Sequence, residues 1–303
     1  VAALPIGWYF LKHPGDFTGR SKEVSVLSAP SPIREFAKTN ALTLGMLFIR
    51  GDCNDRHNYA CRPELNLIVA LFFAIGIAAA FKILFSHTGS SQERMASATL
   101  FAWLFFMSLP ETLTREGIPH ALRSIGMIPP VMILAGLGAY AAFRFINNRL
   151  PRQIVLAIAI LLCIYIPLQT FYDYFIVWAA RSQTAKAFAA DLWHLGQYLN
   201  ATPQHIKKYV IVDLGSDQNG GLPVVAESVA FATDTFRAQD RPAKNLTYIL
   251  SRDALSNIQV PNGDPVIIAP LQKNDPETLK LIHEKFPQFQ ELRNNDFLIF
   301  QNF

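Results

Sequence analysis

Residues 65–85 read LNLIVALFFAIGIAAAFKILF, an apolar run interrupted only by Asn66 near its start and Lys82 near its end. Its 21 residues match the roughly 20 that an α-helix needs to cross the hydrocarbon core of a bilayer. Two further runs have the same character: Ile125 to Phe145, and Ile154 to Phe171, the latter continuing through Tyr172, Tyr174 and Trp178. Met95 to Leu109 is shorter and ends at Pro110, but a chain with three long runs needs a return segment there, so four full spans are expected. The whole chain agrees. Its 303 residues are 51% hydrophobic and only 17% charged, with mean hydropathy +0.21, which excludes an ordinary soluble domain, a disordered chain and a fibrous repeat.

The opening, Val1 to Phe10, is about half the length of a span and reads as the end of one. It does not read as a signal peptide, because no basic region precedes it and no small-residue cleavage site follows. Phe171, Tyr172, Tyr174, Phe175 and Trp178 form the pattern of an interfacial aromatic belt, and Trp8 and Tyr9 suit the same role. Gly76 with Ala80, and Ala135 with Ala139, are small-residue pairs that let helices approach closely. In the long polar loop 12–63, Ile33, Phe36, Ala37, Leu44, Leu47 and Phe48 recur at helical spacing, which predicts an amphipathic helix lying on the membrane surface. Ser31 is its expected cap, and Pro32 suits its first turn.

After Ala179 the pattern changes to that of a water-soluble α/β unit. A helix is expected through Phe188, Leu192, Leu195 and Leu199, and strands at Tyr209 to Leu214, Leu246 to Leu250, Pro265 to Ala269 and Phe297 to Phe300. A further helix is expected near Pro276 to Lys285. The predicted organisation is therefore a polytopic α-helical membrane region over 1–178 and a small α/β domain over 179–303. Charge follows the same division: 15 Lys and Arg against 10 Asp and Glu in the first part, 12 against 13 in the second.

The charge count does not orient the chain. With the opening segment directed outward, loop 12–63 lies outside while carrying eight Lys and Arg, against the usual inside bias. Either that bias fails here or these cations bind something anionic. Cys53 and Cys61 lie eight apart in one polar loop, which admits a single loop-pinning disulfide and favours the oxidising outer side.

Two segments could carry chemistry. Gly51-Asp52-Cys53-Asn54-Asp55-Arg56-His57-Asn58 is a polar cluster just before a span. Gly, Asp and Asn are ordinary turn formers, so one reading is a turn. A second is a hard-metal site on Asp52, Asp55 and His57, for which no completing cluster is evident. In a third, Arg56 and His57 contact a substrate phosphate or sugar. The other segment, Pro119-His120-Ala121-Leu122-Arg123, opens the run at 125–145. A cation in a first helical turn opposes the helix dipole, so Arg123 needs a partner. Lipid headgroups, Glu116 or a bound phosphate would serve. Pro129-Pro130 is expected to kink the span and open its backbone to a cavity. Asp213, Gly215, Asp217 and Asn219 lack the ligand spacing of an EF-hand loop, and no phosphate loop, nucleophile elbow or zinc spacing is present. Asn245-Leu246-Thr247 matches a glycosylation sequon that chance also supplies.

At these residues the chain resembles the GT-C class of membrane glycosyltransferases, the protein-mannosyltransferase-like and aminoarabinose-transferase-like enzymes. The resemblance is carried by Gly7 to Lys12 with Pro14, Phe17 and Arg20; by Gly51-Asp52 with Arg56-His57-Asn58; and by Pro119 to Arg123 with Pro129-Pro130. It covers residues 1–178 and corresponds to the C-terminal half of such an enzyme. It implies a GT-C-like fold of about four spans plus the end of one, an extracytoplasmic loop 12–63 and an extracytoplasmic terminal domain. It also implies integration in the bacterial inner membrane.

The implied activity is inverting transfer of a sugar from a polyprenyl-phosphate donor to a glycan, lipid or protein acceptor outside the membrane, with no nucleic acid partner. The general base of such enzymes lies in a loop upstream of residue 1; no cofactor is assigned, and a divalent metal is left open without a residue pattern that indicates one. By match to the family, Arg123 is expected to stabilise the leaving phosphate, with His120, Arg56, His57 and Asp52 as further contacts. Cysteines at 53 and 61 depart from the family pattern, which suggests that a crosslink replaces local turn rigidity. The alternative from another class is a transporter or sensor whose terminal domain binds a ligand.

Overall fold

The computed structural model describes residues 4–86, 90–212, 222–251, 254–255, 258, 260 and 263–303, without the side chains of residues 17, 20 and 21. The Phe17 and Arg20 side chains and the Asp213 to Asn219 segment lie outside the described residues. The chain forms two compact units, Val1–Thr184 and Ala185–Phe303.

The first unit is helical: α1 (Leu4–Lys12), α2 (Pro14–Val24), α3 (Pro32–Phe48), α4 (Leu67–Leu84), α5 (Ser91–Thr112), α6 (Ile128–Asn147) and α7 (Arg152–Phe171). Three helical segments are long and apolar enough to cross a membrane: 67–84, 125–147 and 152–178. The last joins α7 to a wider π-helical stretch, Tyr172–Trp178. Helix α5 has the length, 22 residues, and a Ser90/Glu93 capping box starts it, but Gln92, Glu93, Arg94, Ser97 and Thr99 dilute its apolar content. It is not among the three.

Helices α4 and α6 pack most intimately, and glycine is the reason. A Cβ on Gly76 would overlap the Leu134 carbonyl, and one on Gly138 would overlap that of Phe72, so each helix needs a bare backbone opposite the other. Around this crossing Phe73, Ala80, Val131 and Leu134 are buried. Helix α7 has the opposite character: Val155 is its one buried residue among those described, and Ile160, Leu161 and Leu168 lie open.

Several local expectations are corrected. Pro129 and Pro130 stand in the first turn of α6, where a missing N–H costs nothing, so they begin the helix and do not kink it. Arg123 is therefore not on a helix; it lies in a turn before a short 3₁₀ segment at Ile125–Met127. Helix α3 begins at Pro32 as expected, but Ser31 makes no side-chain cap bond. The inward face of α3 is Thr39, Thr43, Met46 and Leu47, while Ile33, Phe36, Leu44 and Phe48 are exposed. The threonines turn inward because their hydroxyls find carbonyls: Thr39 Oγ1 donates to Thr112 O at 2.5 Å, and Thr43 Oγ1 to Thr39 O at 2.8 Å. Trp178 is buried, and its Nε1 donates to Asp55 O at 2.9 Å, so it is not part of an aromatic belt; Phe171, Tyr172, Tyr174 and Phe175 are exposed.

The chain enters the second unit through α8 (Ser182–Ala187). It contains α9 (Ala190–Ala201), α10 (Glu227–Ala232), α11 (Pro276–Lys285) and a five-stranded sheet. The strands are β1 (Lys207–Ile211), β2 (Leu246–Ile249), β3 (Val266–Pro270), β4 (Gln290–Arg293) and β5 (Leu298–Gln301), in the order β2-β1-β3-β5-β4. β1 is parallel to β2 and β3, and β5 is antiparallel to β3 and β4. Alternation along β1 and β3 sends Val210, Ile267 and Ala269 toward Leu195 and Leu199 of α9, and Tyr209, Ile211 and Ile268 toward Ile282 of α11. The expected helix through Phe188 starts later. Ala189 adopts a left-handed conformation with φ 54°, so Phe188 stays exposed while Leu195 and Leu199 are buried. Strand β4 has no buried residue and hence no apolar alternation from which to predict it.

Candidate functional site

The site grows from the loop 51–64 between α3 and α4. A disulfide joins Cys53 to Cys61, Gly51 N donates to Cys61 O at 3.1 Å, and Glu64 N donates to Met46 O at 3.0 Å, tying the loop to α3. The Asn58 amide fills the interior, donating to Asp52 O at 3.1 Å and Arg62 O at 2.6 Å. Gly51 has no room for a side chain: a Cβ there would overlap the Arg62 carbonyl and come within 2.8 Å of Asn58 Nδ2.

Asp52 is 4% exposed, and its two oxygens are used differently. Oδ1 accepts from Asn54 N at 2.7 Å, which is the turn that the residue types predict. Oδ2 faces His57 Nδ1 at 2.7 Å and accepts from Ala121 N at 2.9 Å. The second contact spans 69 residues and joins the two polar segments into one site. The His57 and His120 rings lie 4.6 Å apart, and His120 N donates to Glu111 Oε1 at 2.7 Å.

Glu111 follows Pro110 at the end of α5 and is fully buried. Burial raises its carboxyl to about 7, an effect opposed by the His120 N–H and the Arg123 charge and reinforced by Asp52. Burial also holds the His120 imidazole below its ordinary value, and the Arg123 and His57 charges act in the same direction. Glu64, whose Oε1 accepts from Asp52 N at 3.1 Å, is raised by burial as well. The site thus holds three acids and two imidazoles in a poorly solvated space.

Beside it lies a polar chamber of about 370 Å³ walled by His57, Tyr59, Arg62, Glu64, Asp173 and Trp178, among others. Arg62 Nη1 pairs with Asp173 Oδ2 at 2.7 Å and also donates to the Tyr59 hydroxyl. An apolar groove of about 490 Å³ runs between α4, α6 and α7, lined by Gly136, Ala139, Ile158, Leu162 and Cys163, among others. Chamber and groove share Val69, Met132 and Ile166, so the two are neighbours with these side chains between them.

Asp52, His57 and His120 therefore come together. Arg123 stands close enough to act on Glu111 and His120, yet its Nη1 donates to Glu116 O at 2.6 Å and it is not among the residues lining the chamber. Arg56 is exposed on the loop and does not line the chamber either. Asp55 is not grouped with Asp52 and His57 among the described residues, so the Asp52/Asp55/His57 cluster is not formed. Sequence reasoning missed Arg62, Asp173, Glu64 and Glu111. A signal existed for Asp173: it is the sole charged residue in the apolar stretch after Arg152, and an acid in such a stretch points to a site. No protein-family model, curated protein or solved structure matches the chain.

Proposed function

We propose that this chain is the carrier-lipid-binding part of a membrane glycosyltransferase, which moves a sugar from a polyprenyl-phosphate donor to an acceptor outside the membrane. One observation carries the reading: an apolar groove among the long helices adjoins a polar chamber, the two sharing the wall residues Val69, Met132 and Ile166. A ligand that suits both has a long hydrocarbon tail and a charged, hydrogen-bonding head. The polyprenyl chain lies against α6 and α7, and the phosphate sugar occupies the chamber.

In this reading Arg62 is the first phosphate contact, exchanging its Asp173 partner for the phosphate when the donor arrives; a guanidinium suits two-pronged binding of such oxygens. Charge that develops on the departing phosphate is stabilised most in a water-poor chamber. Arg123 acts from behind, through the field it exerts on Glu111 and His120, while Asp52 holds His57 at the chamber wall. Helix α5, over residues 95–109, completes four spans, and loop 12–63 and residues 179–303 lie on the outer side.

The disulfide leaves Cys163 as the single free thiol of three, and it lines the groove. In the full-length protein in detergent, a long-chain polyprenyl phosphate is expected to slow maleimide labelling of Cys163, and a short-chain isoprenyl phosphate is not. Gly136→Phe, at a position whose Cβ meets nothing within 4 Å, is expected to raise KM for the long-chain donor with little change in kcat. Labelling that is indifferent to a saturating long-chain carrier removes the proposal.

A further inference from the structure

The pairing of His57 with Asp52 leaves part of the cluster unaccounted for. His120 Nδ1 and Glu111 Oε2 are both buried with no hydrogen-bond partner among the described residues. Buried polar atoms without partners are rare because each forfeits its hydration. Glu111 is fully buried, and it senses the Asp52 charge. Asp52 faces His57 Nδ1 at 2.7 Å, while Glu111 Oε2 and His120 Nδ1 keep unused hydrogen-bonding capacity beside that pair.

One ligand atom from each of Asp52, His57 and His120 lies within 4.8 Å of the other two. His57 Nδ1 and Asp52 Oδ2 lie 2.7 Å apart with one proton between them, and an ion that takes that proton's place would engage both atoms after a small separation. The Ala121 and Asn54 N–H groups already fix the Asp52 carboxylate from outside, as the supporting partners of a metal ligand do. Two imidazoles and one carboxylate form a donor set suited to zinc and its first-row neighbours, with one position left for a water or a substrate oxygen. We infer that Asp52, His57 and His120 form a binding site for one divalent transition-metal ion of the zinc class. Of the three ligands, His57 also lines the polar chamber. Ion binding itself does not depend on the glycosyltransferase reading.

The test uses the detergent-solubilised full chain with its disulfide intact, stripped by chelation and titrated with Co²⁺ as a coloured probe. One equivalent is expected to bind with the visible absorption of a low-coordinate site, and Zn²⁺ to displace it. Of the seven histidines, two are expected to show strongly shifted imidazole resonances in the Co²⁺-loaded, ¹⁵N-histidine-labelled protein, a readout that needs no variant. His57→Gln and His120→Gln are each expected to weaken Co²⁺ binding by more than about 10-fold, the lower end for losing even a supporting partner. His194→Gln in the second unit is expected to leave it unchanged. Failure of the wild type to retain an equivalent ion overturns the inference, as does a His120→Gln affinity within about 10-fold of wild type. Because no lipid donor or turnover enters, failure here leaves the proposed transfer reaction to its own test.

Discussion

Glu111 shows how much one side chain depends on its surroundings. It sits at the C-terminal end of α5, where the helix dipole disfavours an anion, and no solvent reaches it. The folded protein holds its proton to about pH 7, against an ordinary value of 4.5. The sign follows: the fold binds this proton more tightly than the unfolded chain, so the contribution is complete below the ordinary value and is lost as pH rises through 7. At most about 3–4 kcal/mol is involved. The thermal midpoint of the wild type is expected to fall relative to that of Glu111→Gln as pH goes from about 5 to about 8, and parallel profiles would refute the assignment. Nothing in the sequence near Glu111 announces this, because its partner His120 is nine residues away and the burial comes from other helices. Asp52 and His57 are legible as chemistry-bearing residues, since they lie five apart in a polar turn. Their union with Ala121 and His120 is a product of folding.

Among the elements, the α4–α6 crossing is the most demanding. Gly76→Leu drives a side chain into the backbone of Leu134, and neither helix can yield without parting from the other. Overpacking of this kind costs about 1–3 kcal/mol, so folded yield and thermal midpoint in detergent are expected to drop. Gly136→Ala on the same helix as Gly138 meets nothing within 4 Å and is expected to stay within about 0.5 kcal/mol of wild type. Equal effects of the two would show that the helices do not meet here. Gly76 is visible in the sequence as half of a small-residue pair, but Gly138, its true counterpart, is one residue from the Ala139 that spacing selects. Helical periodicity identifies a face only to within about a third of a turn, so the matching of two faces has to come from the packing. The same holds for α3, where the apolar stripe suggests one inward face and the threonine hydroxyls of Thr39 and Thr43 establish another.

At the scale of the molecule, the two units differ in how much of their apolar surface the fold itself covers. The sheet of the second is covered on both faces, with Val210, Ile267 and Ile268 fully buried, which is a complete core for its size. Residues 185–303 alone are expected to be soluble and to unfold in one cooperative denaturant transition, with Leu199→Ala costing about 2–5 kcal/mol. A gradual, non-cooperative transition would show that this unit depends on the rest of the chain. The first unit leaves the apolar surface of α7 open, as a helix does when lipid or further helices are its neighbours. Composition and period alone determined that long apolar helices precede an α/β sheet, because burial in hydrocarbon and two-sided burial in a sheet each require a distinctive run of residue types. Only the tertiary structure decided that Asp52, His57, Glu111 and His120 come together, that Arg62 and not Arg123 lines the chamber, and that the groove lies beside it. Those facts depend on the meeting of segments some 60 to 120 residues apart, and no local pattern encodes the direction in which a distant side chain points.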